Sequence, residues 1–215
     1  MKQTVIAVTI SLLTAAARPG IAQTVYQLPF ASSNNSIELT VANTSSTVLS
    51  GVRIAATDLP SWLRFSNAEQ RLDLLKPGAS AVVRFSFSVD KSAPVNVIQK
   101  LDFAIFAASN QWSKQITVTV APPEKFQVFQ NFPNPFNPTT AISYQLSAVS
   151  RVNLKIYNLL GQEVASLVDG DRLPGYHQET WDATRYSSGM YIYQLIATDE
   201  RGQKQIARKR MMLLK

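Results

Sequence analysis

Hydrophobic and polar side chains alternate along much of the chain from about residue 36 onward, which is the period of a β-strand with one buried face. The clearest example is 83–89, where valine and phenylalanine at the odd positions alternate with arginine and serine. Comparable runs flank it, separated by turn residues such as Pro77-Gly78. Short strands at intervals of roughly 8–15 residues, with no helical stretch, predict an antiparallel immunoglobulin-like β-sandwich over residues 23–121.

A second alternating region follows a proline pair. We interpret residues 122–125 as a short linker, because two adjacent prolines lack N–H donors and favour an extended backbone. Beyond it, 140–146 and 152–156 alternate, and 190–197 is apolar on both faces, which predicts a central strand. The sequence therefore predicts an all-β chain of two antiparallel β-sandwich modules in tandem, the second over residues 126–215.

The first 22 residues have the pattern of an export signal. Lys2 precedes an uncharged, largely aliphatic run over residues 4–17, and small residues precede a cleavage site after Ala22. The run is shorter than the roughly 20 residues that span a bilayer. We predict a cleaved signal peptide over residues 1–22, passage through the periplasm, and a mature chain without a transmembrane span.

Composition restricts the possible chemistry. The chain has no cysteine and one histidine, His177, which excludes disulfides, thiolate metal sites and metal sites with two imidazoles. Only one candidate base remains for a serine triad, and we interpret His177 as a surface or edge residue of a strand. Asp169 and Asp171 flank a glycine as in part of a calcium loop, but the other ligands of such a loop are missing. We predict no catalytic residue, no metal site and no cofactor.

The net charge of +7 comes largely from the C-terminus. Six basic residues and no acidic residue lie within 201–215. The segment 195–215 contains no aromatic side chain that could stack on bases, so nucleic acid is not an expected partner.

Ordered sequence blocks in the second module carry a resemblance to a known family. The blocks are 130–140 with Pro133-Asn134-Pro135, 152–164, Gly175-Tyr176 with Trp181-Asp182, 188–193 with Gly189-Met190-Tyr191, and Lys209 to Lys215. Together they resemble the type A C-terminal sorting domain of proteins exported by the bacterial type IX secretion system. The resemblance implies recognition by the type IX translocon and sorting machinery, and delivery to the cell surface or medium. It also implies removal of this domain, followed by attachment to surface lipopolysaccharide or release.

The residues of these blocks also predict local structure. The prolines of 133–135 predict a rigid extended lead, which Phe132 and Phe136 can pin to the sandwich. Trp181-Asp182 predicts the end of a strand, with the indole over the core and the carboxylate capping a turn. We further predict that the terminal strand pairs on one side only and that the translocon recognises its basic end.

Two other functions remain open beside that of a non-enzymatic surface or secreted module. The first module resembles the immunoglobulin-like domains found beside such sorting domains, and it could bind carbohydrate or another surface protein. Trp62 and Trp112, with Phe65, are candidates for a sugar-binding platform, although aromatic residues of a sandwich are more often buried. The second module also resembles the immunoglobulin-like part of flagellar hook-capping proteins, which would imply a structural assembly role.

Overall fold

The computed structural model describes residues 6–12 and 25–215, and every regular element in these ranges is a β-strand. The all-β prediction is thus confirmed. The chain divides into two compact units between Ala121 and Pro122. The strands of the first unit are β1 (Ile6–Leu12), β2 (Val25–Leu28), β3 (Asn35–Asn43), β4 (Leu49–Thr57), β5 (Leu63–Phe65), β6 (Glu69–Leu75), β7 (Ser80–Val89), β8 (Gln99–Ala107) and β9 (Asn110–Val120).

Two sheets enclose the core of the first unit. Their strand orders are β1-β3-β7-β5 and β2-β9-β8-β4-β6, and only the β2–β9 pair is parallel among the described strands. Phe85 of one sheet and Phe103 of the other lie with ring centroids 5.3 Å apart. The alternation over 83–89 therefore corresponds to burial, because the odd positions of β7 point between the two sheets.

The strand β1 falls within the predicted signal peptide. It pairs antiparallel with β3, from Ile6 opposite Asn43 to Leu12 opposite Ile37. The cleavage site after Ala22 and the rest of the leader lie outside the described residues, so the signal peptide stays a prediction. Within the described ranges, no helix has the length and apolar character needed to cross a membrane.

The second unit is also a two-layer β-structure. Its sheets have the orders β10-β11-β14 and β13-β12-β15-β16. The central position predicted for 190–197 is confirmed, because β15 lies between β12 and the terminal strand β16. The strands are β10 (Gln127–Val128), β11 (Thr139–Leu146), β12 (Ser150–Asn158), β13 (Glu163–Arg172), β14 (Gly175–Asp182), β15 (Gly189–Asp199) and β16 (Lys204–Leu213).

Candidate functional site at the end of the terminal strand

The proline-rich motif meets the last strand of the second unit. The Phe136 N–H donates to the Met212 carbonyl (3.0 Å), and the Leu214 N–H donates to the Phe136 carbonyl (2.9 Å). The Asn134 side-chain oxygen accepts a hydrogen bond from the Met212 N–H at 3.0 Å. The first and last motifs of the unit therefore close on each other at one sheet edge.

This contact corrects the predicted pairing of the terminal strand. Among the described strands, β16 pairs only with β15. However, Gln130 Nε2 donates to the Arg210 carbonyl at 2.7 Å, and Phe136 forms a parallel bridge to Leu213. Pairing on one side only is thus correct for the start of β16. It is wrong for the end of β16, where residues 130–136 form hydrogen bonds with the backbone of the terminal strand.

The lead itself differs from the extended segment expected. Bends occur at residues 133–135, and both the Phe132-Pro133 and Asn134-Pro135 peptide bonds are cis. Phe136 is 2% exposed and is part of the core, whereas Phe132 is 80% exposed. Only one of the two phenylalanines therefore pins the lead, and the prediction for Phe132 is wrong.

A buried polar network fixes the lead from inside. Asn131 Nδ2 donates to the Pro133 carbonyl (3.0 Å) and to Thr140 Oγ1 (2.9 Å). The Tyr193 hydroxyl donates to the Phe129 carbonyl (2.7 Å) and accepts from the Asn131 N–H (3.0 Å). Burial raises the pKa of Tyr193 to about 12, so its hydroxyl keeps the proton that it donates. The sequence reasoning missed this role, because partners 62 and 64 residues apart leave no local signal.

Trp181 forms the centre of an aromatic cluster beside the lead. It is 3% exposed. Its ring lies 5.5 Å from Phe136, 5.4 Å from Tyr186 and 5.2 Å from Tyr191, measured between centroids. The predicted position of the indole at the end of a strand and against the core is confirmed.

Asp182 caps the turn that follows β14, as expected. Its Oδ1 accepts hydrogen bonds from the backbone N–H of Thr184 (2.9 Å) and from the Thr184 hydroxyl. These two hydrogen bonds lower the pKa of Asp182. The chain terminus reaches the same turn, because Lys215 Nζ donates to the Thr184 carbonyl at 2.6 Å.

The structure brings most, but not all, of the motif residues together. Gly189 begins β15 opposite Leu213 with φ of +150°, a conformation that side-chain-bearing residues rarely adopt. Met190 pairs with Met212 in the next register position. By contrast, Gly175-Tyr176 begins β14, at the opposite end of that strand from Trp181-Asp182. Lys209 lies midway along β16, opposite Tyr193.

The outer face of the β13-β12-β15-β16 sheet combines basic and aliphatic side chains. Arg208 and Arg210 lie opposite Gln194 and Ile192 of β15, and both arginines are exposed. The Arg208 guanidinium donates to the Gln194 side chain. A surface cavity of about 370 Å³ adjoins them, lined by Tyr157, Asn158, Leu159, Gly161, Ile192, Gln194 and Arg208.

The proposed aromatic platform of the first unit is not formed. Trp62 is 6% exposed and belongs to the core, while Trp112 is half-buried and packs against that core. Phe65 contacts three core phenylalanine rings. The interpretation of Trp62 as a ligand-binding residue is corrected, because a buried indole cannot present its face to a sugar.

His177 occupies an edge strand, as predicted. It lies on β14, at one end of the three-stranded sheet. Its ring stacks on Tyr144 with centroids 5.2 Å apart, and its Nε2 lies 2.8 Å from the Leu173 carbonyl. Burial raises the pKa of Tyr144 to about 12. The ring of His177 is therefore held by contacts with Tyr144 and the Leu173 carbonyl.

Solved structures with a distant likeness to this chain include PorU and two chaperones. Dimeric latent PorU from Porphyromonas gingivalis is 10% identical with a TM-score of 0.35, over 95% of this chain and 20% of that chain. The CupB2 chaperone of Pseudomonas aeruginosa is 14% identical with a TM-score of 0.32, over 91% and 100% of the two chains. The YadV chaperone is 8% identical with a TM-score of 0.31, over 95% and 99%. The chain thus spans a fifth of the length of the PorU chain.

A comparison with curated proteins finds no match. A comparison with protein-family models gives a match that lies within the second unit. Residues 130–209 match the family model of the secretion system C-terminal sorting domain. This range begins at the lead and ends within β16. It contains the proline-rich motif and Trp181-Asp182, and it stops before residues 210–215, which the lead contacts. It indicates a protein exported to the cell surface or the medium, and residues 130–209 are a type IX C-terminal sorting domain.

Proposed function

We propose that this chain is a non-enzymatic cargo of the type IX system, in which the second unit is the sorting signal and the first unit is the delivered module. The observation that supports this best is the match over 130–209, together with the closure of its first motif on the terminal strand. A sorting signal must keep one shape until the machinery binds it. The lead and the buried network around Asn131 supply that rigidity.

The basic outer face of the terminal strand is the surface that we assign to the translocon. Arg208 and Arg210 are exposed on it. The aliphatic Ile192 lies opposite Arg210, and Ile206 precedes Arg208 by two positions on β16. Ile206 is 56% exposed. Exposed charge steers a complementary acidic partner, and adjacent apolar area adds affinity.

After export, the first unit is the part that functions outside the cell. The family resemblance implies removal of the sorting domain, followed by attachment to lipopolysaccharide or release. Two separate cores are compatible with such a cut, since each unit has its own set of buried residues.

Charge variants provide the sharpest test of the sorting role. The chain is expressed in a bacterium with a functional type IX system, and surface, medium and periplasmic fractions are quantified by immunoblot. Deletion of residues 122–215 should abolish surface delivery. The double variant Arg208→Gln/Arg210→Gln should accumulate in the periplasm while remaining folded by circular dichroism.

The matched control removes the same charge elsewhere on the unit. Arg151 and Arg172 pair with Asp169 and Glu179 at 3.1 Å and 3.6 Å, outside β16. The variant Arg151→Gln/Arg172→Gln should be delivered normally. Equal delivery of both double variants would refute the assignment of the surface, and delivery without residues 122–215 would refute the sorting role itself.

A further inference from the structure

The sheet edges of the first unit differ in how they are protected. Natural proteins protect an edge strand by keeping it short or by placing charges on it, because its free N–H and C=O groups attract other strands. β5 spans three residues and β2 spans four, and β6 carries Glu69, Arg71 and Asp73 within seven residues. β3 has nine residues and a single charge, Glu38, which pairs with Arg84. Of these strands, β3 alone is long and nearly uncharged.

In the full chain, β1 covers this strand, but β1 belongs to the predicted leader. Residues 6–12 pair with β3 along seven register positions. Cleavage after Ala22 would remove all of them. The mature chain would then have β3 as the outer strand of its sheet, next to β7.

The hydrogen bonds at one end of β3 show which backbone groups would become free. The Asn43 N–H donates to the Ala79 carbonyl (2.9 Å), and the Asn43 carbonyl accepts from the Gly78 N–H (2.8 Å), so Asn43 faces the β7 side. Backbone groups point to alternate sides along a strand. Glu38, Thr40 and Ala42 therefore direct their N–H and C=O groups toward β1.

We propose that β3 of the mature chain is a docking edge for an extended segment of another protein, which adds as an antiparallel strand with aliphatic residues at every second position. Main-chain hydrogen bonds give such strand addition its affinity, and alternate side chains give it specificity. The proposal concerns the first unit and is independent of the sorting role.

The register of β1 defines the chemistry of the partner segment. Residues directly opposite each other in an antiparallel pair share one face of the sheet. Leu12, Ile10 and Val8 lie opposite Ile37, Leu39 and Val41, whose side chains are fully buried. The intervening positions, opposite Glu38, Thr40 and Ala42, are filled by serine, threonine and alanine. The partner therefore needs aliphatic residues toward the core and small or hydroxyl residues outside.

A labelled peptide tests the proposal without any change to the protein. The probe is residues 6–12 of this chain with terminal lysines for solubility and a fluorophore, titrated against residues 23–215 by fluorescence anisotropy. Thr9 lies opposite Thr40, whereas Ile10 lies opposite Leu39, so the Thr9 N–H faces β3 and the Ile10 N–H faces away. N-methylation at Thr9 should weaken binding about tenfold or more, and N-methylation at Ile10 should leave it nearly unchanged. No saturable binding, or equal effects of the two methyl groups, would overturn the proposal.

A variant pair checks that the peptide binds at β3. Thr40→Pro removes an outward N–H and spares the hydrogen bonds to β7, a position where a strand tolerates proline. It should abolish peptide binding, while Thr40→Val should retain it, with both folds checked by circular dichroism. The full-length chain, with β1 in place, should bind poorly. If the mature chain is instead a dimer that Thr40→Pro makes monomeric, β3 pairs with a second copy and the assignment to another protein is wrong.

Discussion

Adjacent leucines at the terminus offer a direct test of how the sorting domain is held together. Leu213 is fully buried, whereas Leu214 is 50% exposed. Truncation of a buried leucine to alanine costs about 2–5 kcal/mol, since apolar contacts are lost and a cavity remains. An exposed substitution usually changes stability by about 0.5 kcal/mol or less. A unit of roughly 90–100 residues has a stability of about 5–14 kcal/mol, so Leu213→Ala should be strongly destabilised but still folded.

The measurement must distinguish the second unit from the first. Native-state hydrogen exchange with mass spectrometry does so, because peptides from β12 and β15 report the opening free energy of that unit alone. Leu213→Ala should lower this free energy by about 2–5 kcal/mol, and Leu214→Ala should leave it almost unchanged. Equal losses in both variants, or a loss below about 1 kcal/mol for Leu213→Ala, would refute the terminal strand as part of the core.

Four further outcomes follow from the same structure. Deletion of 211–215 should unfold the second unit by circular dichroism, because the buried Met211 is lost with Leu213. In chemical denaturation, Tyr193→Phe should cost about 1–3 kcal/mol, since two backbone groups lose their partner. The lowered pKa of Asp182 adds stability above pH 3.8, which disappears as the pH falls through its folded-state pKa. Asp182→Asn should therefore flatten the acid limb of a stability-against-pH curve. Mild trypsin treatment should cut near Lys125 and release two folded pieces on a gel, whereas one resistant core would contradict an exposed linker.

The expected effect of this deletion depends on how the terminal strand is packed. A terminal strand that paired on one side only, as the sequence predicts, would leave most of the module folded when residues 211–215 are removed. The structure corrects this, because Met211 is 1% exposed and Leu213 is fully buried. An export defect in such a truncation would reflect unfolding, which is why exposed arginines are the better probe of translocon recognition.

Local patterns in the sequence determined the strands and their buried faces. Alternation over 83–89 predicts which side chains of β7 point inward, and an apolar run on both faces places β15 in the centre of its sheet. The residue types of Trp181 and Asp182 likewise predicted a core indole and a carboxylate that caps a turn. Such features depend on neighbouring positions along one strand, where the side-chain period of two is preserved.

Tertiary structure alone decided which strands meet at the edges. Asn134 accepts a hydrogen bond from Met212, 78 residues away, and no local pattern records such a pair. The same limit explains why Phe136 is buried and Phe132 exposed, although both flank the same prolines. The sequence also did not predict that β1 pairs with β3. A short apolar run at the N-terminus indicates a signal peptide and carries no information about a partner strand. Burial on one face is encoded residue by residue, but the choice of a neighbouring strand depends on the whole fold.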